Sequence, residues 1–158
     1  GKQGRIERHD EGQPMMRQAG MLVLFLLCAV CGAEAAERMA VSATDANVRS
    51  GPGPTHDVLW KVEKYHPIEV VEVSGPWLRF RDFEGDVGWI HKSLVDKTQT
   101  VIVRQNGAQL RSGPGTEQPV LIKLVKGVPF KVLKREGRWI QLEHADGDKG
   151  WIHDSLVW

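Results

Sequence analysis

The sequence predicts an all-β chain made of two tandem copies of one small, strongly bent antiparallel barrel. Three observations carry that expectation. Arg49-Ser50-Gly51-Pro52-Gly53 returns as Arg111-Ser112-Gly113-Pro114-Gly115, and Gly88-Trp89-Ile90-His91 returns at the same offset as Gly150-Trp151-Ile152-His153. Sliding residues 39–96 over 101–158 needs no gap and gives about 24 identities, the mark of a repeated structural unit. Beyond residue 35, short apolar stretches alternate with Gly- and Pro-rich turns, and no segment carries the apolar stripe of a helix.

The order of segments along the chain follows. Residues 1–14 are polar and precede the first plausible initiator, so they are expected to be an upstream extension without structural role. Residues 15–35 read as a secretory signal peptide: Arg17 near its start, the apolar stretch Met21 to Cys31, which is too short to span a bilayer, and Ala33-Glu34-Ala35 at the cleavage position. Both cysteines, Cys28 and Cys31, fall inside it. A lipoprotein anchor at Cys31 is disfavoured because Val30 stands where such signals carry Gly or Ala. Cleavage after Ala35 leaves a mature chain without cysteine, owing nothing to disulfides, and without a transmembrane segment. The two repeat units are expected at residues 38–97 and 99–158.

Within the first unit, Asn47-Val48-Arg49 is extended and runs into the stiff loop Ser50 to Pro54. Val58 to Val62 is the next strand. Pro67 to Val73 follows, with Ile68, Val70 and Val73 expected against a core and Val71 thickening a bent strand. Gly75-Pro76 turns into Trp77 to Arg81, with Leu78 and Phe80 on one face. Glu84-Gly85-Asp86 turns into Val87 to Ile90, and His91 to Val95 is expected to form one short helical turn. The second unit repeats the order at Val120–Leu124, Val128–Leu133, Trp139–Leu142 and Lys149–Ile152, with its closing turn at His153 to Val157. A flat sheet of this size leaves edges and an apolar face uncovered, which is why closure into a barrel is expected.

Asn47 to Gly53, Gly75-Pro76-Trp77 and Gly88-Trp89-Ile90 resemble the bacterial SH3 (SH3b) domain, and residues 109–115, 137–139 and 150–152 resemble a second one. The resemblance covers nearly all of residues 40–158. It implies non-catalytic barrels on an exported protein, periplasmic or extracellular, several relatives of which target peptidoglycan or cell-wall peptides.

Gly51, Gly53, Gly88, Gly113, Gly115 and Gly150 are read as structural positions of the repeat, as are Trp77, Trp89, Trp139 and Trp151. Trp60 differs, because Ile122 occupies its place in the second unit. That asymmetry marks Trp60, with Tyr65 and His56, as a shallow ligand groove, the alternative being that Trp60 fills the interface between units. Arg49, Asp57, Trp60, Tyr65 and Arg81 are the candidate ligand-binding set: an aromatic plate with charged and hydrogen-bonding groups for amides, carboxylates and sugars. For Arg49 and Arg111, a tie to loop carbonyls is the competing role. His91 and His153 are read as turn caps or packed imidazoles.

No catalytic residue, metal or cofactor is expected. A Cys–His dyad lacks its cysteine after cleavage, Ser50 and Ser112 sit in turns without a nucleophile elbow, and no carboxylate pair has a recognisable spacing. A net charge of +1, from 21 basic and 20 acidic residues interspersed, argues against a nucleic-acid partner. The expectation is therefore a chain that is not an enzyme: a binding module for peptidoglycan or cell-wall peptides. An adaptor for an envelope protein and an accessory to a separate cell-wall hydrolase are the alternatives.

Overall fold

The computed structural model describes residues 36–158; the extension and the signal peptide expected at residues 1–35 lie outside the described residues. The first repeat unit contributes β1 (Glu37–Val41), β2 (Asp45–Arg49), β3 (Val58–Glu63), β4 (Pro67–Ser74), β5 (Trp77–Arg81), β6 (Val87–His91) and β7 (Val95–Asp96). The second contributes β8 (Thr100–Ile102), β9 (Ala108–Arg111), β10 (Val120–Leu124), β11 (Pro129–Glu136), β12 (Trp139–Glu143) and β13 (Lys149–His153). Single 3-10 turns, Lys92–Leu94 and Asp154–Leu156, follow β6 and β13. Among the described residues no helix is long and apolar enough to cross a membrane.

The strands form two antiparallel sheets, in the orders β3-β2-β6-β5-β4-β1-β7 and β10-β9-β13-β12-β11-β8. Neither closes. The expected barrels are thus corrected to two open, bent sheets: the outer strands β3 and β7 share no ladder, nor do β10 and β8. The bending is nonetheless built in. Leu59 is the extra residue of a bulge between β2 and β3, and Val71 that of one between β4 and β5; Leu121 and Leu133 repeat them in the second sheet. All four bulge residues are at least 37% exposed, so Val71 kinks the strand rather than thickening the core. Where β3 comes nearest to β1, closure is reduced to single hydrogen bonds at a corner. Tyr65 N–H donates to Val41 O at 2.8 Å and Lys64 N–H to Thr44 O at 3.2 Å. Tyr65 has a left-handed backbone (φ 73°) at the corner between β3 and β4.

Each sheet wraps its own core. Val41, Val48, Ile68, Phe80 and Ile90 fill the first, and their repeat equivalents Val103, Leu110, Phe130, Leu142 and Ile152 fill the second. The phenylalanine lies on β5 in one unit and on β11 in the other, with an aliphatic residue across from it each time, which keeps the core volume nearly constant. Val73, expected in the core, is 64% exposed, because the bulge at Val71 shifts the alternation beyond it. Gly88 is required by a close approach: a Cβ there would collide with Val48 Cγ1 and come within 3.2 Å of Trp60.

Candidate functional site

Alternation and the Leu59 bulge set what β2 and β3 present. Val48 pairs with Trp60, whereas Arg49 pairs with Val58 on β3 and with Trp89 on β6. Neighbouring residues on a strand face opposite ways, so Arg49 and Trp60 are directed to different faces. Trp60 is half-buried, packed edge-on against Phe80 with ring centroids 6.4 Å apart. Its remaining surface lines a cleft of about 660 Å³.

The wall opposite Trp60 is the β5–β6 turn. Asp82 is 7% exposed, and its Oδ1 accepts the backbone N–H groups of Glu84 at 2.9 Å and Asp86 at 3.0 Å. This local competition with the strand ladder is why an Asp heads the turn. The turn places Glu84 and Asp86 around the cleft, Phe83 beside them, and Asp45 and Glu63 line the β2–β3 side. Five carboxylates thus face a single lining lysine, Lys61. Burial raises the Asp82 carboxyl above its ordinary range; the two backbone donors oppose that shift, and repulsion from Asp86 and Glu84 adds to it.

His66 lines the same cleft, 9% exposed, with its Nε2 meeting no hydrogen-bond partner. Burial pushes its pKa down to about 4, so the imidazole is neutral at ordinary pH. The ring meets Phe83 edge-on at 6.2 Å. From the second unit, Lys126 reaches the cleft's rim: its Nζ lies 3.2 Å from Glu84 Oε2 and 5.9 Å from the centroid of Phe83. Among the described residues no group of His, Cys, Asp or Glu converges closely enough to hold a metal ion.

Of the five residues singled out in the sequence, only Trp60 lines this cleft. Arg49 donates to His56 O at 3.0 Å, as Arg111 does to Gln118 O at 2.8 Å, and it borders a separate hollow with Trp77 and His91. Asp57 sits at the base of the same loop, its carbonyl accepting Ser50 N–H at 2.9 Å. Arg81 pairs with Glu69 across β4 and β5 at 2.7 Å. Tyr65 occupies the β3–β4 corner, with the Lys64 ammonium 5.3 Å from its ring centroid. His91 and His153 cap the 3-10 turns, each accepting a serine N–H and meeting Trp77 or Trp139 edge-on. The sequence reading missed Asp45, Glu63, His66, Asp82, Phe83, Glu84 and Asp86. The signal for most of them was the one that singled out Trp60: the second unit carries Gly107, Val125, Val128, His144 and Ala145 where the first has Asp45, Glu63, His66, Asp82 and Phe83.

A second hollow, about 630 Å³, lies where the two units meet and is bordered by Arg38, Lys97, Arg135 and Trp158. Its most prominent cation is already engaged: the Arg38 guanidinium covers the Trp158 ring at 4.1 Å and donates to Thr100 O at 3.5 Å. The acidic cleft, with its orphaned imidazole, is the better candidate.

The bacterial SH3 domain matches residues 42–97 and again 104–158. The chain belongs to the bacterial SH3 domain family. Among curated proteins, this SH3 tandem is 29% identical over 135 residues to the "Putative N-acetylmuramoyl-L-alanine amidase YrvJ" of Bacillus subtilis (strain 168), covering 78% of this chain and 26% of that protein. It is 39% identical over 61 residues to the "Probable cell wall amidase LytH" of Staphylococcus epidermidis, covering 38% of this chain and 21% of that protein. The chain therefore spans about a quarter or less of the length of these relatives. A solved NlpC/P60 family protein from Bacillus cereus ATCC 10987 aligns with a TM-score of 0.38 and 11% identity over 77% of this chain and 56% of that one, a likeness too loose to carry an inference.

The amidase matches correct two expectations: that the chain is not an enzyme, and that it is a purely binding module, whether wall-binding, adaptor or accessory to a separate hydrolase. The sequence argument asked only whether these residues hold a nucleophile and its base. The alignments place SH3 units like these in proteins named as amidases.

Proposed function

We propose that this chain works in cell-wall amide hydrolysis as part of an amidase, with the SH3 tandem holding the peptide portion of peptidoglycan. The observation that carries this reading is the alignment over 78% of the chain with a protein named as an N-acetylmuramoyl-L-alanine amidase. The Trp60 cleft supports it: a concave site with an aromatic wall and several polar groups suits a peptide better than a smooth apolar ligand. The reading also locates the protein outside the cytoplasmic membrane, where its substrate lies, and agrees with a signal peptide at residues 15–35.

Hydrolysis of an N-acetylmuramoyl-L-alanine bond frees an alanine amino terminus and creates no new reducing sugar end. Purified protein incubated with peptidoglycan sacculi is therefore expected to release amino termini without reducing ends. Trp60→Ala is expected to slow that release while leaving the circular dichroism spectrum unchanged. No release above a mock preparation overturns the reading.

A further inference from the structure

We infer that the hollow where the two units meet binds the free carboxylate of a peptide between the guanidinium groups of Arg38 and Arg135. This goes beyond the proposed function, because it is a second contact that involves neither the Trp60 cleft nor any hydrolysis.

The hollow, of about 630 Å³, gathers side chains from distant parts of the chain: Arg38 from β1, Arg135 from β11, Ile140 from β12, and Trp158 beyond the second 3-10 turn. The buried Val101 and Ile140 add apolar surface to its lining. A carbon stem carrying a carboxylate uses both kinds of wall, whereas an inorganic anion uses only the charged one.

The other charges around the hollow are already engaged. Asp154 Oδ1 lies 3.1 Å from Arg138 Nε and 2.9 Å from its Nη2, and Lys97 pairs with Glu37 at 3.1 Å. Glu69, opposite Arg38 in the β1–β4 ladder, pairs with Arg81 at 2.7 Å. Arg38 and Arg135 remain, and neither has a carboxylate within ion-pair distance among the described residues. Partial burial holds the Arg38 guanidinium below its usual range; Glu69 opposes that shift, and repulsion from Arg135 adds to it. An anion seated between the two guanidiniums offsets both the desolvation and the repulsion.

Arg38 is also held ready. The Trp158 ring lies 4.1 Å from its guanidinium carbon, and Nη2 donates a long bond to Thr100 O at 3.5 Å. Stacking occupies the face of the guanidinium, and its remaining N–H groups meet no partner among the described residues. A planar fork fixed by stacking suits the two oxygens of a carboxylate. The repeat carries Thr100, Val73 and Asp96 where Arg38, Arg135 and Trp158 stand, so the cationic pair belongs to the junction and not to the SH3 unit as such.

The test is a titration of the full chain, at low salt, with N-acetyl-alanyl-alanine and with its C-terminal amide, read from the 1H–15N NMR spectrum. The Trp158 indole signal is identified by its loss in Trp158→Phe. The free acid is expected to shift that signal saturably, and the amide to leave it in place. Arg135→Gln, at an exposed strand position away from the stack, is expected to weaken binding about tenfold, the loss of one charge-assisted contact, and Arg135→Lys to restore part of it. Equal responses to acid and amide, no response to either, or undiminished binding by Arg135→Gln overturns the inference. Acetate binding as tightly as the dipeptide also overturns it, by assigning the hollow to any small anion. None of these outcomes depends on wall cleavage, so this inference and the functional proposal fail separately.

Discussion

Tyr65 and Gly127 occupy the same place in the two repeat units, and both have left-handed backbones, with φ of 73° and 91°. Gly127 adopts that geometry without strain, whereas a tyrosine pays roughly 1–2 kcal/mol for it. The corner between β3 and β4 is thus dictated by the fold, since it must hand the chain from one strand to the next while Tyr65 N–H bonds Val41 O. Tyr65→Gly is expected to change stability by less than ~1 kcal/mol, as relieved strain offsets the added freedom of the unfolded chain. Tyr65→Val, β-branched and worse in this region, is expected to cost ~1–2 kcal/mol more than tyrosine. Urea denaturation of the two variants checks this; similar losses for both would show that the ring, rather than the backbone, matters here.

Gly88 and Gly150 make the second case. A Cβ at Gly88 would run into the fully buried Val48, and one at Gly150 into Leu110. Overpacking of a rigid core costs ~1–3 kcal/mol, and here the neighbour is a stem already confined by its own sheet. Gly88→Ala and Gly150→Ala are each expected to lower the thermal midpoint by several degrees. An unchanged midpoint in either variant would mean that β2 or β9 moves aside without loss.

The strands were legible because alternation and Gly/Pro turns are local signals; β5, for instance, falls at Trp77–Arg81 as read, with Leu78 and Phe80 inward. Closure was not legible. It depends on whether the outer strands β3 and β7, or β10 and β8, share a ladder, and that is set by how far each sheet bends rather than by any local residue pattern. The site was half legible for a related reason. The departure of Trp60 from Ile122 pointed to the right strand, but Arg49 was grouped with it although strand alternation separates them. Glu84-Gly85-Asp86 read simply as a turn, and Asp82 and Phe83 drew no reading; only the folded sheet carries that turn across to β3.

His66 makes the fold sensitive to acid. Its pKa, about 4 in the fold against an ordinary 6.5, means that the unfolded chain binds the proton more tightly. The contribution of His66 to stability therefore rises with pH between about 4 and 6.5 and is constant above that range, with a total on the order of 3 kcal/mol. Asp82, whose carboxyl is raised in the fold, works in the opposite sense and removes part of that slope at its acidic end. His66→Val, the residue of the second unit, is expected to flatten the dependence between pH 6.5 and 4.5 in urea titrations. A slope as steep as the parent's would assign the acid sensitivity to other groups.

Arg38 joins the first strand of one unit to the second: its guanidinium lies 4.1 Å from the Trp158 ring centroid and donates to Thr100 O at 3.5 Å. Thr100 is Arg38's own repeat equivalent, so the contact links corresponding strands of the two sheets. A stack of this kind is worth ~0.5–1 kcal/mol when exposed, and the long hydrogen bond adds little. Arg38→Ala is expected to destabilise the tandem by ~1 kcal/mol and to shift the Trp158 indole resonance. Arg38→Lys, which keeps the charge but loses the planar stack, is expected to recover less than half of that loss. Full recovery by lysine would assign the contact to charge alone, and an unmoved indole signal would mean that the two units are held by other contacts.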